Sequence, residues 1–301
     1  MSETVHKSVM PGEVLDLLTS RSGKVYIDGT LGGGGHTESL CRYSKDVRVI
    51  AFDRDIEAIN RTEKRLRSVF AGTDPFPVRF VHADYRFFED ALDLLNIEKI
   101  DGFLLDLGLS SDQLADDSRG FSFDSAGNLD LRFDVSEGLS AAEMLARLPE
   151  KEISRILYEF GEERHSRTIA RRIAECRRSG QPLQTARQLA DLVRECVPKF
   201  WKTKGRSIDP ATKTFQALRI AVNDELNALA ETLRRLPNRL AQGGIAAVIS
   251  FHSLEDRIVK NTFRDDPRWQ PLTSKPVTAS EAEVSRNPRS RSAKLRAALL
   301  V

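Results

Sequence analysis

The chain has 301 residues, of which 40% are hydrophobic and 30% charged, as in a globular protein with a sizeable core. No apolar run approaches the ~20 residues that a membrane-spanning helix needs, and residues 1–7 lack the features of a secretory signal. We therefore expect a cytoplasmic protein without membrane contact. The three cysteines, Cys41, Cys176 and Cys196, stand far apart, which predicts neither a disulfide framework nor a metal site.

The formal net charge of +2 hides an uneven distribution along the chain. Residues 147–219 hold 17 Lys and Arg against 9 Asp and Glu, and residues 285–301 hold 5 basic residues and no acidic one. Such a local excess suits a partner rich in phosphate, although a basic stretch is about as often a solvated surface.

Short apolar runs separated by helical stretches mark the first third of the chain. They lie at residues 24–28, 47–53, 78–82 and 100–106. This alternation predicts βαβ units and a mostly parallel sheet. A long helix is predicted over 214–236 and a buried strand over 245–250. Two weak strands, near 269–273 and 293–300, are expected to pair antiparallel at the sheet edge.

Residues 111–213 contain no convincing core strand. After a loop rich in Gly, Ser and Asp, the apolar residues recur at spacings of three and four. The helices predicted from this pattern lie at 141–148, 152–160, 166–178 and 185–196, the last capped by Thr185 and ended by Pro198. We expect a ligand-binding α/β domain, residues 1–113 with 214–301, and an inserted all-helical substrate-recognition domain, residues 114–213.

The first predicted strand ends in DGTLGGGGH, residues 28–36, just before a predicted helix. Four consecutive glycines let the backbone approach a ligand closely and leave helix N-terminal amides to meet a polar group; a flexible loop is the plainer alternative. The strict G-x-G-x-x-G of dinucleotide enzymes fails, because its last position falls on Thr37 or Glu38. Asp28, four residues before Gly32, instead resembles the acid-x-x-x-Gly-x-Gly start of Rossmann-like methyltransferases.

Polar residues also follow the second and third predicted strands. Asp53 stands 25 residues after Asp28, where a doubly wound fold has an acid that accepts hydrogen bonds from both ribose hydroxyls. A helix cap is the alternative for Asp53 and the simple role for Asp55. Tyr85 is expected to meet an adenine ring or to pack as an ordinary core tyrosine.

The fourth predicted strand ends at Asp106, which is followed by Gly108, Ser110 and Ser111. An acid at the carboxyl end of a central strand lies in the crevice where α/β enzymes bind their ligands. Asp106 is therefore the leading catalytic candidate, with a cap on the next helix as the alternative.

Several sequences, taken together and in order, resemble one family. They are DGTLGGGGH at 28–36, DLGLSS at 106–111, RGFSF at 119–123, FGEER at 160–164, TKTFQALR at 212–219, SFHSLEDR at 250–257 and NPRSR at 287–291. From His6 to the C-terminus the chain resembles the bacterial ribosomal RNA small subunit methyltransferase H family, also called MraW. The resemblance implies a Rossmann-like methyltransferase fold with a mostly parallel sheet and an inserted helical domain.

The resemblance also implies an activity. The family transfers a methyl group from S-adenosylmethionine to N4 of a cytidine near the decoding centre of small-subunit (16S) ribosomal RNA. The implied partner is this RNA, in the assembled or assembling 30S subunit. By matching motif positions, the implied cofactor contacts are Gly34, Gly35, His36, Asp53, Tyr85, Asp106 and Gln113, with the acid Asp28 beside them.

Basic side chains are the first candidates for substrate contact. A mostly one-sided stripe on a predicted helix, suited to phosphate contact or to a solvated face, is formed by Arg164, Arg167, Arg171 and Arg172. Arg219 lies in an apolar helix segment and needs a partner, either an internal carboxylate or an RNA phosphate.

Three ring side chains are further candidates. His252, after a buried strand, is expected to orient the base or a phosphate, or to be a satisfied structural histidine. Phe121 and Phe123 are expected to stack on an extruded base or to anchor their loop in the core.

The chemistry itself needs a hydrogen-bond acceptor facing the cytosine amine, because the lone pair on N4 is delocalised into the ring. Amine methyltransferases commonly carry an Asn/Asp/Ser-Pro-Pro-aromatic loop for this, whereas this chain has DLGL at 106–109. We expect the acceptor to be Asp106 or a loop carbonyl near Gly108, with support from Ser110 and Ser111.

Two other classes of protein remain as alternatives. A nicotinamide oxidoreductase would share the fold and Asp53 but should carry the strict glycine fingerprint. A non-catalytic RNA-binding or ribosome-assembly factor would explain the basic segments but leaves the glycine loop and Asp106 without a role. Residue chemistry does not separate RNA from a protein or small-molecule acceptor, and only the resemblance does. The sequence predicts no particular oligomeric state.

Overall fold

The computed structural model of the chain describes residues 8–21, 23–123, 125–197 and 209–301. The strands are β1 (Val25–Asp28), β2 (Arg48–Asp53), β3 (Val78–His82), β4 (Ile100–Asp106), β5 (Leu240–Ser250), β6 (Trp269–Pro271) and β7 (Lys294–Leu300). The helices are α1 (Pro11–Leu18), α2 (Gly35–Tyr43), α3 (Ile56–Val69), α4 (Phe88–Leu94), α5 (Ser111–Ala115), α6 (Ala141–Arg147), α7 (Glu150–Gly161), α8 (Ser166–Arg178), α9 (Ala186–Cys196), α10 (Ala211–Asn223), α11 (Glu225–Arg235), α12 (Ser253–Asp265) and α13 (Glu281–Arg286). The described residues pack into two compact units: unit 1 lies within residues 1–110 and 226–301, and unit 2 within 111–225.

Unit 1 is built on a sheet of seven strands in the described part of the chain, in the order β3-β2-β1-β4-β5-β7-β6. The first five strands in this order are parallel to one another, and β7 is antiparallel to both β5 and β6. The expected α/β class with a mostly parallel sheet is therefore confirmed, as is the antiparallel pair of the last two strands. Of this pair, only β6 lies at an edge of the sheet, because β7 is inserted between β5 and β6.

Both faces of this sheet are buried. Ile27, Phe52 and Phe103 belong to the apolar core on one face, while Tyr26 and Leu104 belong to the core on the other. Continuous apolar strands of this kind are typical of parallel sheets covered on both sides. The register pairs Asp28 with Leu104, Asp53 with His82 and Asp106 with Ile249, so the carboxyl ends of these strands share one edge of the sheet.

The regular secondary structure described in unit 2 consists of helices. The expected inserted helices are present, and Thr185 caps α9 as predicted: its Oγ1 accepts a hydrogen bond from the Gln188 N–H at 3.2 Å. The predicted helix end at Pro198 lies outside the described residues. The prediction of a single long helix over 214–236 is wrong. The chain forms α10 and α11 instead, because Asp224 between them has a left-handed φ of 53°.

Helix α10 packs against α6, α7 and α9, so it groups with unit 2. The units therefore divide after residues 110 and 225, whereas the sequence-based boundaries stand after residues 113 and 213. The assignment of a cofactor-binding domain and a substrate-recognition domain stays a prediction. Among the described residues no helix is long and apolar enough to span a membrane.

Candidate active site

The glycine loop that follows β1 is held in a defined conformation. Leu31 N–H donates to the Phe52 carbonyl at 2.8 Å, and the Thr62 hydroxyl donates to the Gly32 carbonyl at 2.6 Å. Gly34 caps α2 with a φ of +74°, and a β-carbon there would overlap Thr62. Both the backbone conformation and the close approach therefore require glycine at this position.

Asp28 lies inside the loop and is 1% exposed. Its Oδ2 accepts from the Thr37 hydroxyl at 2.7 Å and its Oδ1 from the Thr30 N–H at 3.2 Å. Burial raises the pKa of this carboxyl above its ordinary value, against the opposing charge of His36 and these hydrogen bonds. Asp28 thus ties β1 to the first turn of α2 from within.

Asp53 ends β2 and faces the same loop. Its Oδ2 accepts from the Gly32 N–H at 2.8 Å and its Oδ1 from the Asp55 N–H at 2.9 Å. Burial raises its pKa to about 6. The cap of α3 is Asp55, which accepts from the N–H groups of Glu57 and Ala58. Since each carboxylate oxygen has two acceptor positions, Asp53 keeps capacity for further hydrogen bonds.

His36 and Asp106 come together at the carboxyl ends of the strands. Nε2 of His36 lies 3.4 Å from Oδ2 of Asp106. The Asp106 N–H donates to the Thr30 hydroxyl oxygen at 2.7 Å, which links the end of β4 to the glycine loop. Burial alone would lower the pKa of His36, but hydrogen bonding and charge from Asp106, with the charges of Asp28 and Glu283, raise it overall.

Three buried atoms of this pair have no hydrogen-bond partner among the described residues: Nδ1 and Nε2 of His36 and Oδ1 of Asp106. Of these, Nε2 faces Oδ2 of Asp106 across the 3.4 Å contact, whereas Nδ1 and Oδ1 face no such group. Buried polar groups are nearly always hydrogen-bonded, so unpaired ones at the carboxyl edge of a parallel sheet are suited to a polar ligand.

For the remaining cofactor and catalytic candidates, the positions of the side chains do not by themselves indicate a contact with a ligand. Tyr85 is 9% exposed and packs in the core with Ile27 and Phe52, as the core alternative expects. Gln113 lies in α5 of unit 2 and is buried. Ser110 is partly buried, and the side chain of Ser111 lies outside the described part of the structure. Their contacts with cofactor or substrate stay predictions.

The two phenylalanines of the loop before α6 pack within unit 2. Phe121 is 5% exposed and stacks on Phe133, with ring centroids 5.9 Å apart. Phe123 meets the edge of Phe215 at 4.9 Å. These contacts favour the loop-anchoring alternative over stacking on an extruded base.

Arg219 and His252 also have partners inside their own units. The Arg219 guanidinium donates to both carboxylate oxygens of Glu225 at 2.8 Å, which is the internal-carboxylate alternative. Nδ1 of His252 caps α12 by accepting from the Glu255 N–H at 3.4 Å, and Nε2 lies 3.0 Å from Glu255 Oε1. These contacts favour structural roles over direct contact with a substrate.

The basic stripe on α8 is exposed. Arg172 lies 3.0 Å from Glu175 and 3.8 Å from Glu195, and Arg171 lies 4.0 Å from Glu175. Arg167 has no ion-pair partner among the described residues. Exposed pairs of this kind are weak, so these guanidiniums are available to exchange partners.

Sequence reasoning missed Thr30 and Thr37, whose hydroxyls hold Asp106 and Asp28. Their only signal was their position in and just after the glycine loop, which does not specify a hydrogen-bond partner. Among the described residues no group of three or more His, Cys, Asp and Glu is arranged to hold a metal ion.

The sequence of this chain matches a known protein family and individual members of it. A model of the MraW methylase family matches residues 3–300. The chain belongs to this family. The resemblance read from its motifs is thereby confirmed.

Individual relatives within the family match along nearly their whole length. The chain is 48% identical over 316 residues to the ribosomal RNA small subunit methyltransferase H of Citrifermentans bemidjiense, covering 98% of both chains. It is 48% identical over 306 residues to that of Rhodopirellula baltica, covering 99% of this chain and 92% of the relative. A solved putative methyltransferase from Streptococcus mutans is more distant, with 12% identity and a TM-score of 0.46 over 98% of this chain and 100% of that one.

Proposed function

We propose that this chain is a cytoplasmic S-adenosylmethionine-dependent methyltransferase that methylates N4 of a cytidine near the decoding centre of 16S ribosomal RNA. Membership of a methylase family and the names of its relatives support the reaction and the RNA. The observation that carries the proposal is the His36 and Asp106 pair, with unpartnered buried atoms beside the glycine loop. The partner is the assembled or assembling 30S subunit.

The residues at the sheet edge fit S-adenosylmethionine. Gly34 and Gly35 are assigned to the methionine part by the motif match, and Asp53, whose two oxygens accept from the N–H groups of Gly32 and Asp55, has acceptor capacity left for the ribose hydroxyls. Three acids, Asp28, Asp53 and Asp106, suit a ligand that carries a sulfonium and an ammonium group. When bound, S-adenosylmethionine supplies an electrophilic methyl group. Tyr85, at the adenine, and Gln113 are assigned as cofactor contacts by the motif match alone.

Asp106 has the chemistry that the cytosine amine requires. Oδ1 is free of protein partners among the described residues, so it can accept a hydrogen bond from an N4 proton. That bond localises the nitrogen lone pair as the new N–C bond forms, and it holds the proton that N4 must later lose. The Thr30 hydroxyl keeps the Asp106 backbone in position for this role. The carbonyl near Gly108 stays the alternative acceptor.

Recognition of one cytidine in a large RNA needs more surface than an extruded base offers. Unit 2 carries the exposed Arg167, Arg171 and Arg172 on α8, and their charge suits a phosphate backbone. We assign RNA docking to this stripe and to residues 286–296. The residues around Asp106 would recognise the base itself.

Transfer of labelled methyl from S-adenosylmethionine to small-subunit RNA, together with calorimetric binding of the cofactor, tests this proposal. Saturable cofactor binding and label in the RNA are expected. A folded protein that binds RNA but not S-adenosylmethionine would instead favour a non-catalytic assembly factor. Binding of a nicotinamide dinucleotide in its place would revive the oxidoreductase alternative.

A further inference from the structure

Residues 8–10, which precede α1, lie against the start of α2. A β-carbon on Gly35 would overlap the hydroxyl oxygen of Ser8. Val9 is 5% exposed and Met10 is fully buried, and both belong to the apolar core that also contains Leu31. This segment, which we call the N-terminal strap, therefore borders the glycine loop at the residue next to His36.

The strap is fixed by an acid from the far end of the chain. Met10 has a left-handed backbone, with φ and ψ both 48°, a conformation that residues with a side chain seldom adopt. Its N–H donates to Oε1 of Glu283 at 2.7 Å. Glu283 lies in the first turn of α13, which Ser280 caps. Such a conformation persists only where surrounding contacts hold it, and this hydrogen bond is one of them.

The same carboxylate acts on the site electrostatically. The charged groups that raise the pKa of His36 are Asp106, Asp28 and Glu283, while burial opposes them. Asp28 and Asp106 come from the strand ends already described, whereas Glu283 comes from α13. One side chain thus connects the strap and the imidazole.

We propose that Glu283 is a positioning residue of the cofactor site, which holds the strap against Gly35 through Met10 and acts on the ligand through Gly35 and His36. It does not itself contact the ligand. The inference rests on the proposed function only for the identity of that ligand, since the strap and its hydrogen bond are features of the protein alone.

Three variants of the full chain separate the hydrogen bond from the charge. Glu283→Ala removes both, and Glu283→Gln keeps an acceptor for the Met10 N–H but removes the charge. Glu281→Ala is the matched control, because Glu281 lies in the same first turn and is exposed. The readouts are amide hydrogen exchange at residues 8–10 and 35–36, the titration midpoint of the His36 ring by NMR, and the Kd for S-adenosylmethionine.

In Glu283→Ala, exchange at residues 8–10 should rise at least about 10-fold and the Kd should rise about 10-fold, the scale of one lost charge-assisted hydrogen bond. In Glu283→Gln, protection of the strap should be largely kept while the His36 midpoint falls. The control should match the parent in all three readouts.

Parent-like exchange and affinity in Glu283→Ala would overturn the proposal. If that variant does not fold, Glu283→Gln decides the question, since an unchanged His36 midpoint would remove the link to the site. Absence of cofactor binding in the parent would contradict the proposed function instead, and the exchange at residues 8–10 would still test the strap.

Discussion

Nε2 of His36, in the first turn of α2, lies 3.4 Å from Oδ2 of Asp106, at the end of β4. The contact joins the glycine loop to the strand that carries the leading catalytic candidate. It also leaves Nδ1 of His36 and Oδ1 of Asp106 without partners among the described residues. A substitution of His36 or Asp106 therefore changes the surroundings of the other side chain. Its effect on ligand binding is expected to differ from its effect on the rate of methyl transfer.

Asp106→Asn should lower the turnover rate by about 10²-fold or more, since the amide cannot take the proton that a carboxylate accepts. RNA affinity should change little, because the substitution is nearly isosteric. Single-turnover methyl transfer and RNA binding are measured on the same preparations. Asp90→Asn, an exposed change in α4, is the control. Full turnover in a folded Asp106→Asn protein would refute the catalytic assignment.

Asp53→Ala should weaken S-adenosylmethionine binding by about 2–4 kcal/mol, the value of two charge-assisted hydrogen bonds with some overlap. The carboxylate also accepts from the Gly32 N–H, so part of this loss comes through the loop. Titration calorimetry measures the change, with the exposed Glu57→Ala as control. Unchanged affinity would reject a role for Asp53 in gripping the ribose.

The affinity for S-adenosylmethionine should fall as pH drops from about 8 to about 5. Burial raises the pKa of Asp53 to about 6 and also raises that of Asp28, while the pKa of His36 is raised by Asp106 against burial. Proton uptake in this window makes the site less negative and disfavours a cation.

S-adenosylhomocysteine lacks the sulfonium charge and should lose less affinity over the same range. The ratio of the two affinities, measured by calorimetry at each pH, isolates the charge effect. Asp53→Asn should flatten its dependence on pH. A ratio that stays constant in the parent would argue against electrostatic selection by these acids.

His252→Ala should lower the free energy of unfolding by about 1 kcal/mol, because it removes the cap of α12. His252→Asn should retain most of the stability, since asparagine is a good cap. Denaturant unfolding gives both values. An Asn variant that is stable yet fails to methylate RNA would reveal a substrate contact that the cap alone does not explain.

Replacing Arg167, Arg171 and Arg172 together by Ala should weaken RNA binding and flatten its salt dependence. Each lost phosphate contact reduces the slope of log affinity against log salt by roughly 0.7 to 0.9. S-adenosylmethionine affinity should not change. The triple substitution of Arg61, Lys64 and Arg67 on α3 removes the same charge from unit 1 and is the control. Equal slopes in the parent and the α8 variant would make the stripe a solvated face.

The regular parts of the fold were predictable from sequence because each depends on local pattern. The apolar runs gave the five parallel strands, and Thr185 gave the start of α9. The break at Asp224 was missed because a left-handed residue within a helical pattern leaves no periodicity signal. For Arg219 the sequence predicts an internal carboxylate or a phosphate, and for His252 a structural role or substrate contact. The partners Glu225 and Glu255 themselves come only from the structure.

Long-range contacts in the site could not be predicted. Nothing in the spacing connects Met10 with Glu283, or the Thr30 hydroxyl with the Asp106 N–H, since the members of each pair are far apart in sequence and meet only in the folded chain. The motifs identified Asp53 and Asp106 as acids at strand ends, which is where the sheet has them. Only the structure shows that Oδ1 of Asp106 has no partner among the described residues, whereas both carboxylate oxygens of Asp53 already accept hydrogen bonds.

The most direct test of the central claim is nucleoside analysis of small-subunit RNA after incubation with labelled S-adenosylmethionine. Free 16S RNA and assembled 30S subunits, taken from cells lacking this enzyme, are digested and separated by chromatography beside an Asp106→Asn reaction. We expect label in N4-methylcytidine, at a single site, and no label in the Asp106→Asn reaction. Label in another nucleoside, or none in either RNA from a protein that binds the cofactor, would contradict it.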